Sequence, residues 1–240
     1  MRYLGGKVRL GKHIVKHIID LHKPNQVYYE PFVGGLGLFR YIPIEWVRVI
    51  NDLDSELIAL WQAVAVGYEP PNELSKADYN RIKSTPNLLD CKPYERAFIA
   101  YFCSFGGKKW GGYAQGENRN FYNEAHNDIV ISQRKDSLSL RHIIHHATML
   151  SMDYSELPYV PNSLIYCDPP YKATTGYTMG EFDSDYFYKW CKLMTIKGHT
   201  VLVSEYTAPN SWLCLWSKDK KVSVSRYDYG TKTEKLFLVR

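Results

Sequence analysis

The chain has 240 residues, 45% of them hydrophobic and 23% charged, which excludes a globally disordered chain and allows one large domain or one domain with an insertion. No apolar run approaches the roughly 20 residues needed to span a bilayer, and the basic N-terminal stretch lacks the apolar centre of a secretion signal, so a cytoplasmic protein is expected. The formal net charge is only +5, but residues 1–25 carry six Lys/Arg against one acid and residues 215–240 seven against three, the pattern of two solvated faces or of a phosphate-binding rim.

VYYEPFVGGLG (27–37) is a β-rich run that ends in a glycine turn. WVRVINDLD (46–54) predicts a second strand ending in acids. SELIALWQAVAVG (55–67) has helical spacing, with Ser55 as N-cap and Gly67 as stop. Strand, glycine loop, helix, strand, acid, helix is the opening of an α/β sheet. From about 68 to 135 the pattern changes. A polar, proline-punctuated stretch leads into KPYERAFIAYFCSF, which predicts a helix, and then into a run rich in Gly, Asn and aromatics. This region reads as an insertion of a few helices followed by a loop or hairpin.

The α/β pattern then returns. QRKDSLSLRHIIHHA predicts a helix, TMLSMDY a short strand, SLIYCD a strand, DSDYFYKWCKLMT a helix and HTVLVSEY a strand. KVSVSRYDY and EKLFLVR alternate as an antiparallel hairpin does. The five cysteines are scattered without a C-x-x-C pair, which fits a reducing compartment rather than a disulfide framework. His142, His145 and His146 lack Cys or Glu partners at ligand spacing, so no metal site is expected.

Two places carry chemistry. Gly34, Gly35 and Gly37 stand where a strand turns into a helix and let backbone amides approach a ligand; Asp52, at the end of the next strand, suits ribose hydroxyls. Many nucleotide binders share this pairing, and neither G-x-G-x-x-G nor a P-loop is present. The second place is SLIYCDPPYKA (163–173). After a buried strand, Asp168 sits at the carboxyl edge of the sheet, where α/β proteins bind ligands. Pro169 stiffens the turn and leaves a carbonyl free to accept. A carboxylate beside a carbonyl suits an amino group with two hydrogens, and Tyr171 supplies a flat face for a planar ring. An adenine or a cytosine lifted out of its stack would fit.

RYLGGK (2–7), EPFVGGLG (30–37), NDLD (51–54), DPPY (168–171) and HTVLVSEYTAP (199–209), taken in this order, resemble the Dam-type DNA adenine-N6 methyltransferases, in the alpha ordering of the amino-methyltransferases. The resemblance covers most of the chain. It implies an α/β fold: a Rossmann-like methyltransferase sheet with a terminal antiparallel hairpin in residues 1–67 and 136–240, and an inserted, mainly helical DNA-recognition region at 68–135. It implies S-adenosylmethionine as methyl donor, S-adenosylhomocysteine as product, no metal, and double-stranded DNA as substrate. The methyl group goes to N6 of a flipped adenine. Cofactor contacts carried over are Tyr3, Lys7, Phe32, Gly34, Asp52 and Asp168; the catalytic group is Asp168, Pro169 and Tyr171. One departure is that Leu36 stands at the last glycine of the loop, with Gly37 one position late.

DNA contacts are expected from the region around 103–125. Lys108, Lys109 and Arg119 suit phosphates or guanine edges, Asn118 and Asn120 adenine edges, and Trp110 and Tyr113 stacking or wedging into the duplex. Arg2 is expected to face DNA beside Tyr3. The region matches the family poorly, so the familiar GATC site does not transfer. A solitary enzyme is expected, monomeric in solution, without an obligate nuclease, in a bacterial cell and encoded by the bacterium or by a phage. Alternatives are cytosine-N4 methylation, an RNA or protein methyltransferase, and a catalytically dead DNA-binding module. RYLGGK and the insertion weigh against RNA and protein, and the intact DPPY against a dead module.

Overall fold

The computed structural model describes residues 2–85, 91–114, 128–171, 182–223 and 229–240. An N-terminal arm leads into α1 (Gly11–Leu21), followed by β1 (Tyr28–Glu30), β2 (Arg48–Asn51) and α2 (Ser55–Ala65). Next come α3 (Lys76–Ser84) and α4 (Pro93–Ala97), which runs on as a π turn over Phe98–Phe102. α5 (Asp128–Ser139) and α6 (Arg141–Ile144) lead to β3 (Thr148–Leu150), β4 (Leu164–Cys167), α7 (Ser184–Ile196) and β5 (Thr200–Glu205). The hairpin of β6 (Leu213–Ser223) and β7 (Tyr229–Leu238) closes the chain.

The seven strands form one sheet in the order β3-β2-β1-β4-β5-β7-β6. The first five are parallel, and β7 lies antiparallel against β5. This is the Rossmann-like sheet with a terminal antiparallel hairpin that the resemblance implies. Chain order reverses between β1 and β4, which pair as Tyr28↔Leu164 and Tyr29↔Ile165. Loops leaving the two strands there diverge and open a crevice beyond their carboxyl ends.

Both faces of the central strands are buried, which explains their continuous apolar runs. Tyr28, Ile50, Leu164, Tyr166, Leu202 and Leu236 join one core cluster, and Tyr29, Val49, Ile165, Cys167, Val201, Val203 and Phe237 the other. The alternation is the period of two of a strand. α1, α2 and the π turn cover the first face. α7 covers the second with Phe187, Trp190, Cys191 and Met194. The apolar residues of 97–103 pack in the same cluster as the sheet, so the insertion shares a core with the strands.

Four local expectations change. The N-cap of α2 is Asp54, not Ser55: its carboxylate accepts from the backbone N–H groups of Glu56 (3.0 Å) and Leu57 (3.3 Å). Residues 133–147 are not one helix, because the chain turns at the buried Leu140 between α5 and α6. The helix in KPYERAFIAYFCSF widens to a π turn, which keeps Phe98 and Phe102 in the core while the Tyr101 hydroxyl reaches Asp54 Oδ2 at 2.6 Å. β6 starts well upstream of KVSVSRYDY, with a register shift between Cys214 and Trp216.

Candidate active site

A cavity of about 360 Å³ lies beyond the carboxyl ends of β1, β2 and β4. It brings together residues expected on chemistry and on cofactor: Tyr3, Lys7, Phe32, Gly34, Asp52, Asp168, Pro169 and Tyr171 all line it. They come from four separate stretches of chain, and the sheet's switch point is what joins them.

The glycine loop and the N-terminal arm are built against each other. A Cβ on Gly34 would lie 2.7 Å from the Tyr3 ring, one on Gly35 would lie 2.6 Å from the Tyr3 Cβ, and one on Gly37 would lie 2.6 Å from the Lys7 backbone nitrogen. No side chain fits at such distances. Behind the arm a second glycine turn, Gly107, would put a Cβ 2.6 Å from the Arg2 carbonyl, and its oxygen accepts the Leu4 N–H at 3.1 Å. Leu36, the residue in place of a glycine, takes φ +58, a left-handed backbone that L-residues rarely adopt. Its side chain is fully buried in the core, so packing holds a strained turn in the shape a glycine would give.

Asp52 faces the cavity with both oxygens already engaged: Oδ2 accepts the Gly34 N–H at 2.9 Å and Oδ1 the Asp54 N–H at 3.0 Å. Burial raises its carboxyl to about 6, against the downward pull of those two N–H groups. Each oxygen keeps a lone pair for a ligand hydroxyl.

At the opposite wall, Lys7 Nζ donates to Asp168 Oδ1 at 2.7 Å and lies 3.3 Å from Glu234 Oε1. Burial alone would lower the Lys7 ammonium; the two carboxylates outweigh it, and its pKa rises. Asp168 is displaced upward: burial raises it, Lys7 pulls it down and Glu234 pushes it up again. The Tyr171 hydroxyl meets Asp168 Oδ1 at 3.1 Å and also Glu234 Oε1. Its ring has the Lys7 ammonium 4.7 Å from its centroid and Tyr206 packed edge-on at 4.6 Å.

Glu234 did not come out of the sequence reading. Its signal was present: in EKLFLVR the acid shares the inward phase of Leu236, and both are fully buried. Glu30, at the end of β1, is a second buried acid; burial holds its carboxyl well above the ordinary range, and it accepts the Tyr28 hydroxyl at 2.9 Å.

Residues expected on DNA separate into three groups. Lys108 and Arg2 are exposed; Arg2 donates its backbone N–H to Gln133 Oε1 at 2.7 Å. Lys109 turns inward, with Nζ 2.5 Å from Asp54 Oδ2 and 3.2 Å from Glu56 Oε2, because Asp54 and Glu56 open α2 directly beneath it. Trp110 and Tyr113 are also held inward: Arg96 lies over the Trp110 ring at 4.8 Å, and the Tyr113 hydroxyl donates to Leu74 O at 2.6 Å. The aromatic that this turn presents to solvent is Phe105, 75% exposed. Asn118, Arg119 and Asn120 lie outside the described residues. No group of three or more His, Cys, Asp or Glu among the described residues could hold a metal ion, and no helix among them is long and apolar enough to cross a membrane.

Comparison with known proteins adds the following. The family model described as "D12 class N6 adenine-specific DNA methyltransferase" matches residues 3–222. No curated protein matches the chain. Among solved structures, yhhF from Escherichia coli is similar at 10% identity and a TM-score of 0.41, over 100% of this chain and 97% of that one. HI0767 from Haemophilus influenzae follows at 10% identity and 0.37, over 98% and 90%. The glycopeptide N-methyltransferase MtfA complexed with S-adenosyl-L-methionine is similar at 10% identity and 0.35, over 98% and 78%. Such likeness is coarse, and the family match alone carries weight.

Proposed function

The chain belongs to the D12 class of N6 adenine-specific DNA methyltransferases, an enzyme that moves a methyl group from S-adenosylmethionine to adenine, and from that premise we propose that it acts on an adenine flipped out of duplex DNA into the cavity between β1 and β4. The observation that carries this reading is the position of Asp168. It stands at the switch point, held by Lys7, in one cavity with Asp52 and the glycine loop.

The residues present fit the cofactor. Asp52 offers acceptor lone pairs for a ribose diol, and the bare glycine loop leaves backbone close to whatever lies over it. Tyr3, Lys7, Phe32, Gly34 and Asp52 would hold S-adenosylmethionine, which supplies a methyl group activated by its sulfonium charge.

The chain's own task is then positional and electrostatic. The N6 lone pair of adenine is delocalised into the ring, so the amino group is a weak nucleophile. Asp168 and the Pro169 carbonyl would accept its two hydrogens and favour a pyramidal nitrogen with an available lone pair. Lys7 keeps the Asp168 carboxylate oriented. Tyr171, anchored through its hydroxyl, would set its ring against the base. A carboxylate there need not be a strong base, because the proton leaves after the methyl group has bonded.

Phe105 is the aromatic we place against the duplex, in the role first expected of Trp110 or Tyr113. It sits two residues from Gly107 and three from Lys108, both of which line the cavity. Lys108 and Arg2 are suited to phosphates. The division into a catalytic part (1–67 and 136–240) and a target-recognition part (68–135) remains a division of roles. A monomer acting without a nuclease is part of the same proposal.

Transfer of labelled methyl groups to duplex DNA, single-stranded DNA and RNA tests the reading, together with modified-base sequencing of DNA from expressing cells. Duplex DNA should be labelled at adenine N6, and Asp168→Ala should lose at least about a thousandfold in rate while remaining folded. An active, folded Asp168→Ala protein overturns the assignment.

A further inference from the structure

Behind Lys7 and Tyr171, which line the cavity, stands an acid that the positioning of an amino group does not require. Glu234, in β7, is fully buried. Its Oε1 meets Lys7 Nζ at 3.3 Å and the Tyr171 hydroxyl. Its Oε2 is buried and has no hydrogen-bond partner among the described residues. The same ammonium serves Asp168 at 2.7 Å, and the same hydroxyl lies 3.1 Å from Asp168.

Two carboxyl groups thus face one ammonium and one hydroxyl. A tyrosine hydroxyl has a single hydrogen, and an ionised carboxylate can only accept. Tyr171 cannot donate to both neighbours, so the second contact needs a hydrogen on one of the carboxyls. Charge leads to the same place: two carboxylates against one ammonium would leave a net negative charge in a largely dry site, which is unfavourable unless it is compensated. One proton shared by Asp168 and Glu234 removes both difficulties. The upward displacement of Asp168 by burial, and by Glu234, agrees with it. Among the described residues, the other groups facing the pair are Tyr166 and Cys167 from β4, Tyr206 beyond β5, and Glu30 from β1, whose carboxyl burial drives toward its neutral form.

We propose that Asp168 and Glu234 form a one-proton store: the proton is held in the cofactor-free protein, given up when the positively charged cofactor enters the same cavity, and replaced by the proton that the adenine amino group loses. The proposal rests on the assignment of Asp168 above. In the refilling step the N6–H bond of the methylated amino group breaks and its electron pair stays on nitrogen. The proton bonds to an Asp168 oxygen. It passes on to the Tyr171 oxygen as the hydroxyl's own hydrogen moves to Glu234 Oε1. The surplus negative charge of the wall is matched by the cofactor's charge before transfer and by a proton after it. Glu234 touches no substrate atom and is a positioning residue, acting through Tyr171 and Asp168.

Calorimetric titration of the full chain at neutral pH, in phosphate and in imidazole buffers, counts protons exchanged on binding. S-adenosylmethionine and S-adenosylhomocysteine differ at the sulfur by one methyl group and one charge, and sinefungin carries an amine there. We expect about one proton more to be released with S-adenosylmethionine and with sinefungin than with S-adenosylhomocysteine. In Glu234→Gln that difference should vanish, and affinity for S-adenosylmethionine should fall about tenfold while S-adenosylhomocysteine binds as before, the size expected for one close charge in a partly dry site. Equal proton counts for the charged and neutral ligands in the wild type overturn the proposal, as does a difference that survives in Glu234→Gln. If that variant does not fold, the wild-type comparison decides alone. Methylation of DNA by a wild type with equal proton counts would overturn this inference and leave the assigned reaction standing; absence of methylation would strike the reaction itself.

Discussion

Single residues set the working conditions of the site. In its proposed role Asp52 serves hydroxyls best as a carboxylate, and burial raises its carboxyl to about 6. Above that pH it is ionised; below it, a proton takes up part of its acceptor capacity and removes the negative charge. Affinity for S-adenosylhomocysteine should therefore be flat above about pH 7 and fall by about tenfold per unit below about pH 6. Calorimetry across that range checks it, with Asp52→Asn expected to bind weakly and without the pH step. A flat wild-type profile would remove Asp52 from the cofactor contacts. Leu36 makes a second point about single positions. Its left-handed φ of +58 costs any L-residue about 1 kcal/mol, and glycine nothing. Truncating its buried side chain costs about 2–5 kcal/mol. Leu36→Ala loses the side chain and keeps the strain, whereas Leu36→Gly loses the side chain and sheds the strain. Denaturant titration should find the glycine variant the more stable of the two by about 1 kcal/mol, the reverse of the usual order. A glycine variant weaker than the alanine one would mean that the turn is not strained.

At the scale of elements, the turn from Ser104 to Tyr113 shows how neighbours with similar side chains part company. Phe105 N–H donates to Gly112 O at 2.8 Å, Ser104 and Tyr113 form a β-bridge, and the Tyr79 hydroxyl braces Ser104 Oγ at 2.7 Å. This frame turns Trp110, Tyr113 and Lys109 inward and Phe105 and Lys108 outward. Phe105→Ala should melt within a degree or two of the wild type, as exposed sites do, yet lose at least about tenfold in methylation of duplex DNA with little loss on single strands. Trp110→Ala should instead lower stability by about 3 kcal/mol, since the indole packs against Arg96 and Tyr79. Melting curves and transfer assays on the two variants distinguish the roles; equal losses on duplex and single strands in Phe105→Ala would exclude it as a wedge.

For the whole molecule, the sheet order is the deciding fact. Strand phase, the glycine loop, Asp52 and DPPY were legible because each depends on residues within a few positions of one another: a period of two, a turn that only glycine fits, an acid at a strand end. These local rules determined the α/β class, the family resemblance and one wall of the site. They did not reach Lys7 on Asp168, which are 161 positions apart, or Tyr171 on Glu234, 63 apart. Nor did they show that Asp54 caps α2 while holding Lys109 and Tyr101. Such contacts exist because β1 and β4 lie side by side at the switch point and β7 inserts next to β5. Sequence patterns report what a residue does to its own backbone and to which side it faces. The charge of a buried site depends on which acids and bases the strand order gathers there, and that was decided only when the sheet assembled around Asp168.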